Sequence, residues 1–409
     1  MSVSRSKPPF PDSGDRPGVV SPETFTVIGG GPLFRFIRRM GLVSEEMEFL
    51  PRRILIAFVM TWIPVAILSI FGGRAWGGSV RIPFFFDIDL HARLLLALPL
   101  LLVAEVVVFR RMGRVVPEFL RRELVLAADR PKLDAAVASA RRARDSAVAE
   151  VLLILFVYFF GVVFLWRQHL AQPGSTWYAI PAEHGRRLTA AGWWYALVSL
   201  PLWQFLLVRW YYRLVIWTRL LWRISRLDLQ LVPTHPDRTG GLGFLVTAFR
   251  GFSTLLVAHG ALVAGFIASR VFFDGARLVD FKMELGVYAF LMLLLILGPA
   301  LVFAPALARL RRVGVREYGA FAQHYVRDFD RKWLRDSPPP DPHVLGSPDI
   351  QSLADLANSF ELVRRTQAVP FTRSLVIQLA VAALVPVAPL LLTMFPLEII
   401  LKSVLKMIF

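Results

Sequence analysis

Seven apolar runs alternate with polar, arginine-rich stretches along this chain. They fall at 54–71, 94–109, 148–166, 192–208, 251–269, 285–307 and 374–395. Each approaches the roughly 20 apolar residues that a helix needs to cross a bilayer. Proline lies inside the first, second, fourth, sixth and seventh runs, where it removes a backbone hydrogen bond and kinks a helix. The fourth run does not stop at the expected place. It continues as RWYYRLVIWTRLLWRISRLDLQLV up to Pro233. A single helix over 192–231 would be about 60 Å long, twice the hydrocarbon thickness. Half of it must then lie outside the lipid.

The pattern predicts an all-α fold: a polytopic transmembrane helix bundle, six or seven spans in hairpins, with long cytoplasmic helical extensions. Residues 1–32, rich in Pro, Gly and Ser and without an apolar h-region, read as a disordered N-terminal tail rather than a signal peptide. Residues 33–395 form the transmembrane domain, with 110–147, 209–250 and 308–371 as its cytoplasmic layer, and 396–409 form an amphipathic tail. If 374–409 is a re-entrant hairpin, the spans number six and the C-terminus is inside.

Composition agrees with the pattern. The 409 residues are 56% hydrophobic and 19% charged, below the roughly 25% charged residues of soluble domains. The formal charge is +17. In a chain with many spans this excess points to positive-inside loops touching anionic lipid, and nucleic acid is not expected. Arginine and lysine crowd the segments before span one and after spans two, four and six, while the alternate loops hold few. That places the N-terminus in the cytoplasm and the chain in a bacterial inner membrane. Cysteine is absent, which excludes disulfides, thiolate catalysis and Cys-type metal sites.

Several groups are candidates for chemistry. His259, Glu105, Gln204 and Gln378 are polar within spans, where burial is costly. His259 with Glu105 would make a proton relay, or His259 hydrogen-bonds a backbone carbonyl of the next helix. His235, Asp237, Arg238, Gly240 and Gly241 form the loop HPDRTGG after the fourth helix. This is either a structural turn, with Asp237 accepting backbone N–H bonds or pairing with Arg238 or Arg250, or an ion or ligand site at a helix start. Its His-Pro-Asp resembles the J-domain loop, but the span that follows does not fit a soluble J-domain and no function is carried over.

Arg209, Arg213, Arg219, Arg223 and Arg226 share one face of the fourth helix, interleaved with Trp210, Tyr211, Tyr212, Trp217 and Trp222. They follow the span at irregular spacing, unlike a voltage sensor. The face reads as one for lipid headgroups and neighbouring helices, or for an anionic ligand. Asp87, Asp89 and His91 alternate so that they could bind a divalent metal if their segment is extended, and point different ways if it is helical; His169, Glu183 and His184 lie on the same side, but nothing in their spacing joins them to it. Ser347-Pro348-Asp349 opens a helix whose Ile350, Leu353, Leu356, Phe360 and Val363 line one face. It is expected to dock on the arginine-rich extension of the fourth helix and couple it to the last span.

No Walker A, HExxH, GxSxG or helix-opening GxGxxG pattern is present, the last span has no lysine for a Schiff base, and no span has a TVGYG-type filter. No cofactor and no catalytic or metal constellation is therefore expected, and the chain leans away from an enzyme. The expected function is a channel or transporter of unknown substrate. The alternative is a signalling or scaffold protein acting through the basic cytoplasmic helices. Expected partners are anionic lipids and, at the cytoplasmic face, a second copy or another protein.

The lack of native cysteine makes the sidedness directly measurable. An impermeant thiol reagent applied to intact cells should label Ser175→Cys and spare Ser146→Cys; the reverse pattern would invert the topology.

Overall fold

The computed structural model describes residues 25–41, 49–77, 80–165, 175–182, 185–335 and 347–394. Among these residues, ten helices carry the architecture: α1 Pro32–Arg39, α2 Leu50–Phe71 and α3 Ile88–Arg121, α4 Arg130–Arg144, α5 Ala147–Gly161, α6 Ala190–Ile224, α7 Leu242–Asp274 and α8 Leu278–Arg335, α9 Pro348–Arg364 and α10 Arg373–Met394. Six of them, α2, α3, α6, α7, α8 and α10, are long and apolar enough to cross a membrane, while α5 is a shorter apolar helix. The chain is a multi-span helical membrane protein.

Half of the apolar stretch is buried in α3, α6 and α7, against 28% in α2, α8 and α10. The first three are therefore the centre of the bundle and the others its margin, with large side chains such as Leu55, Phe71, Phe290 and Ile377 turned outward. Where proline interrupts a span, the helix adjusts its winding. Wide π-type turns over Ala92–Ala97 and Tyr195–Ser199 precede Pro99 and Pro201. A proline ring clashes with the carbonyl four residues earlier, and the wider turn accommodates it while the helix continues. In α8 and α10 the chain tightens to 3-10 geometry over Gly298–Phe303 and Val385–Met394, which carry Pro299, Pro386 and Pro389. In α2 the helix steps at Trp62, just before Pro64.

Several expectations are corrected. The fourth-span helix ends at Ile224, seven residues before Leu231, because the chain turns at Ser225 to pair Val125 with Leu229 in an isolated bridge. The longest helix is instead α8, 58 residues from Leu278 to Arg335; its polar second half continues the winding of the sixth span. Of the two surroundings expected for the aromatic face, lipid headgroups and neighbouring helices, Trp210 and Trp217 take the second: they are buried in the core (1% and 0% exposed). That core continues past the apolar spans, where Leu220, Leu221 and Ile224 of α6 meet Leu133, Ala136 and Val137 of α4 and Val116 and Phe119 of α3. Between the third and fourth apolar runs, a polar loop in the sequence reading, Ala179–Ala182 and Gly185–Leu188 pair as an antiparallel hairpin, β1 and β2. The end of the expected 1–32 tail is packed: Phe25, Val27 and Ile28 are each 1% exposed, and the Arg144 guanidinium donates to the Thr26 carbonyl at 2.9 Å. Residues 1–24 and the expected 396–409 tail lie outside the described residues.

α9 docks, but not where the sequence placed it. Ser347 caps it and Pro348 occupies its first turn. Its partner is the polar half of α8, with Phe360 against Gly319, and with Val363 and the loop residue Pro233 both against Gly314. A Cβ at position 314 would come within 3.0 Å of both Val363 and Pro233, so only glycine lets α8, α9 and the Pro233 loop meet. Of the acidic residues expected to seek α6, Asp349 pairs with Lys332 of α8 at 2.5 Å, and Glu361 pairs with Arg364 of its own helix and with Arg365 just after it. The link to α6 runs through the loop: Gln367 N–H donates to the Arg238 carbonyl at 2.7 Å and the Thr366 hydroxyl to the Pro233 carbonyl at 3.3 Å. Leu353, Leu356 and Phe360 are half-buried and Ile350 is exposed.

Candidate functional site

The arginine-rich ends of the spans converge on two buried carboxylates. Glu105 is the acidic residue within the apolar part of α3, and a lone carboxylate there demands compensation. Its Oε1 accepts from Arg213 Nη1 of α6 at 2.7 Å, and its Oε2 accepts from Arg53 of α2. The side chains of Arg53, Glu105 and Arg213 are 9%, 3% and 5% exposed. One helical turn along α6, Arg209 donates to Glu150 Oε1 at 3.2 Å. Glu150 lies in the first turn of α5, where a negative charge suits the helix dipole, and its Oε2 accepts the Leu33 N–H of α1 at 2.8 Å. The Arg213 guanidinium also sits 5.2 Å over the Trp210 ring.

Three arginines and two glutamates leave one net positive charge in this set, and Arg53 Nη1 is buried without a partner among the described residues. Sequence reasoning singled out Glu105, Arg209 and Arg213 but neither paired them nor noticed Arg53 and Glu150. The signal was present: a buried carboxylate near the end of a span, with arginines at the matching ends of two other spans. The pairing could not be read, because 52 and 108 residues separate Glu105 from its partners.

The expected relay of His259 with Glu105 is not formed. His259 Nδ1 is 2.8 Å from the Leu255 carbonyl of its own helix, and Nε2 is 2.9 Å from the Tyr211 hydroxyl of α6. A carbonyl only accepts, so Nδ1 carries the proton and Nε2 accepts from Tyr211. The carbonyl is thus four residues back in α7, not on the next helix as the alternative reading had it. Gln204 is buried with Oε1 unpartnered among the described residues, and Gln378 is exposed on α10. The four intramembrane polar residues do not form one site.

The loop residues do come together. Asp237 Oδ1 accepts the N–H of Thr239 at 2.8 Å and of Gly241 at 3.2 Å, and Oδ2 accepts that of Gly243 at 2.8 Å. His235 Nδ1 accepts the Asp237 N–H at 3.2 Å. Arg238, Gly240 and Gly241 all have positive φ (58°, 64° and 101°), which helps to turn the alternate N–H groups of Thr239, Gly241 and Gly243 toward the carboxylate. Neither Arg238 nor Arg250 pairs with it. Burial pushes the Asp237 carboxyl up, but the N–H groups of Thr239, Gly243 and Gly241 together hold it below the usual range. The nest is filled by the protein's own side chain at the start of α7.

At the opposite end of the spans, Asp87 accepts from Trp177 Nε1 at 2.8 Å, while Asp89 pairs with Arg93 at 2.6 Å. Arg93 also donates to the Tyr195 hydroxyl at 2.5 Å. The carboxylates are thus turned to different partners, and among the described residues no three acidic, histidine or cysteine side chains converge on a metal position. His169, Glu183 and His184 lie outside the described residues. Comparison with known proteins found no matching family model, no matching curated protein and no matching solved structure.

Both clusters can be tested by substitution. Glu105→Gln leaves two buried guanidiniums without a counter-charge and should destabilise the protein by about 3–5 kcal/mol, read as a lower melting temperature in detergent. Replacing the triad together, as Glu105→Leu with Arg53→Met and Arg213→Met, should recover most of that loss, since no uncompensated charge then remains. For the loop, Asp237→Ala should cost about 1–3 kcal/mol, because buried N–H groups lose their acceptor. The depressed Asp237 pKa makes its contribution complete above about pH 4, the ordinary aspartate value, and lost as the pH falls through the lower folded value. The melting temperature of the wild type should therefore fall more steeply on acidification than that of Asp237→Asn; parallel curves would refute the assignment.

Proposed function

We propose that this chain is a bacterial inner-membrane signalling or scaffold protein that works through its extramembrane helical layer, with the N-terminus and the arginine-rich ends of the spans in the cytoplasm. One observation carries the reading. The polar half of α8 continues roughly 40 Å past residue 307 at 1.5 Å per residue, and the α8–α9 hairpin keeps large apolar side chains exposed there: Phe321 at 59%, Leu334 at 74% and Ile350 at 38%. Lipid covers such groups on the spans but does not reach this far. Exposed apolar side chains beyond the bilayer are what a protein partner or a second copy would cover. The attachment of α9 to the Pro233–Arg238 loop supports a coupling role, since any displacement of the hairpin pulls on the junction between α6 and α7.

The transport reading has one observation in its favour, the His259–Tyr211 hydrogen bond between α6 and α7, which is the kind of contact a proton relay uses. Two measurements separate the readings. A photo-crosslinking residue placed at Phe321 or Leu334 should form a discrete protein adduct in cells, whereas the same residue at the span position Phe290 should not. Liposomes holding the purified protein should show no proton flux above protein-free liposomes; a flux abolished by His259→Gln would replace signalling with transport.

A further inference from the structure

The five arginines of α6 and the turn after it divide into two sets. Arg209 and Arg213 are buried in ion pairs. Arg219 and Arg223 have no carboxylate partner among the described residues, and α6 itself contains no acidic residue. These two flank a groove of ≈ 100 Å³ between α4 and α6, whose walls include Ser139 and Ala143 on one side and Val215 and Leu220 on the other. That volume is room enough for a phosphate group.

Depth decides the occupant. The Glu105 cluster marks where α2, α3 and α6 leave the apolar part of the bundle. Arg219 lies six residues past Arg213, roughly 9 Å further along the axis. The interfacial layer of a bilayer is roughly 5–8 Å thick on each face, so the Arg219 backbone stands at its outer edge and Arg223 one turn beyond, and helix side chains, which lean toward the N-terminus, reach back toward the headgroups. Tyr211 and Tyr212, partly buried at the start of the same helix segment, are of a residue type that favours this interface. The small residues of α4 let its backbone approach α6, and the Tyr212 hydroxyl pins the two together by donating to the Ala143 carbonyl at 2.7 Å.

We infer that the α4–α6 groove binds the phosphate of an anionic membrane lipid, with the phosphodiester between Arg219 and Arg223 and the lipid's apolar part along Val215. Two guanidiniums supply charge-assisted donors, Ser139 supplies a hydroxyl, and the 63% exposed Val215 extends the apolar wall outward. A free phosphate would satisfy the arginines but leave that wall uncovered. Because the groove touches α4 and α6 and not α8 or α9, the site stands whether the hairpin serves signalling or not.

The test titrates the full-length protein in detergent with dihexanoyl phosphatidylglycerol, dihexanoyl phosphatidylcholine and inorganic phosphate, read by native mass spectrometry. Phosphatidylglycerol should bind more tightly than either of the others. Arg219→Gln with Arg223→Gln should weaken it about 30-fold, from about 1 kcal/mol for each basic side chain at the surface and 1.4 kcal/mol per tenfold. Ser139→Leu, which fills the groove and leaves every charge in place, should weaken it as well, and carries the test if the arginine variant does not fold. Arg226→Gln, outside the helix and stacked on Trp222 at 5.3 Å, should change nothing. Unaltered binding in both groove variants, an equal loss in Arg226→Gln, or inorganic phosphate binding as tightly as phosphatidylglycerol would each overturn the proposal.

Discussion

A carboxylate cannot stand alone in the apolar part of a membrane helix, and the arrangement of this protein's basic end follows from how Glu105 is neutralised. Each of its two oxygens takes a guanidinium from a different span, Arg53 of α2 and Arg213 of α6. That fixes the height of three helices relative to one another, because a slide of one turn would separate the charges by about 5 Å. Arg209, four residues before Arg213, then falls on the same face and meets Glu150, which brings in α5 and, through the Leu33 N–H, α1. Apolar packing alone sets such heights weakly in a bilayer, since lipid tails solvate leucine as well as another helix does.

Above this level the protein is built like a soluble one. Leu220, Leu221 and Ile224 of α6 are almost fully buried against α3, α4 and the start of α7, so the extension of the fourth span is held by a water-excluding core and not by lipid. The Asp237 nest closes that core: it bends the chain from α6 into α7 while satisfying three backbone donors, groups that would otherwise be orphaned at the start of a helix. α9 rests on the outer side of the same loop. The basic layer therefore has a packed inner part around α6 and a more exposed arm formed by α8 and α9.

The unpaired charge is distributed accordingly. Arg209 and Arg213 point inward and are matched with glutamates, while Arg219 and Arg223 have no carboxylate partner among the described residues. Under the proposals above, the positive edge of the packed layer faces anionic lipid and the distant α8–α9 arm faces a protein partner. The proposals for lipid and for a partner thus draw on different faces of the layer.

The amino-acid sequence by itself determined the class of the protein, the approximate limits of its apolar helices, the position of its prolines and the cap of α9, because each rests on local composition or on the period of a single helix. It also marked Glu105 and Asp237 as groups that need partners. Which partners they find was decided only in three dimensions. Glu105 reaches across 52 and 108 residues, and Asp237 turns to backbone N–H groups whose direction depends on the positive φ angles of Arg238, Gly240 and Gly241 rather than to the arginines nearby in the chain. The same limit explains the helix lengths and the docking of α9. Whether a polar, arginine-rich segment continues a helix or leaves it depends on what lies beside it: α6 stops where Leu229 can pair with Val125, and α8 continues through its polar half because α9 covers one side of it. Hydrophobic periodicity shows that a face must be buried, but not which of several basic helices will bury it.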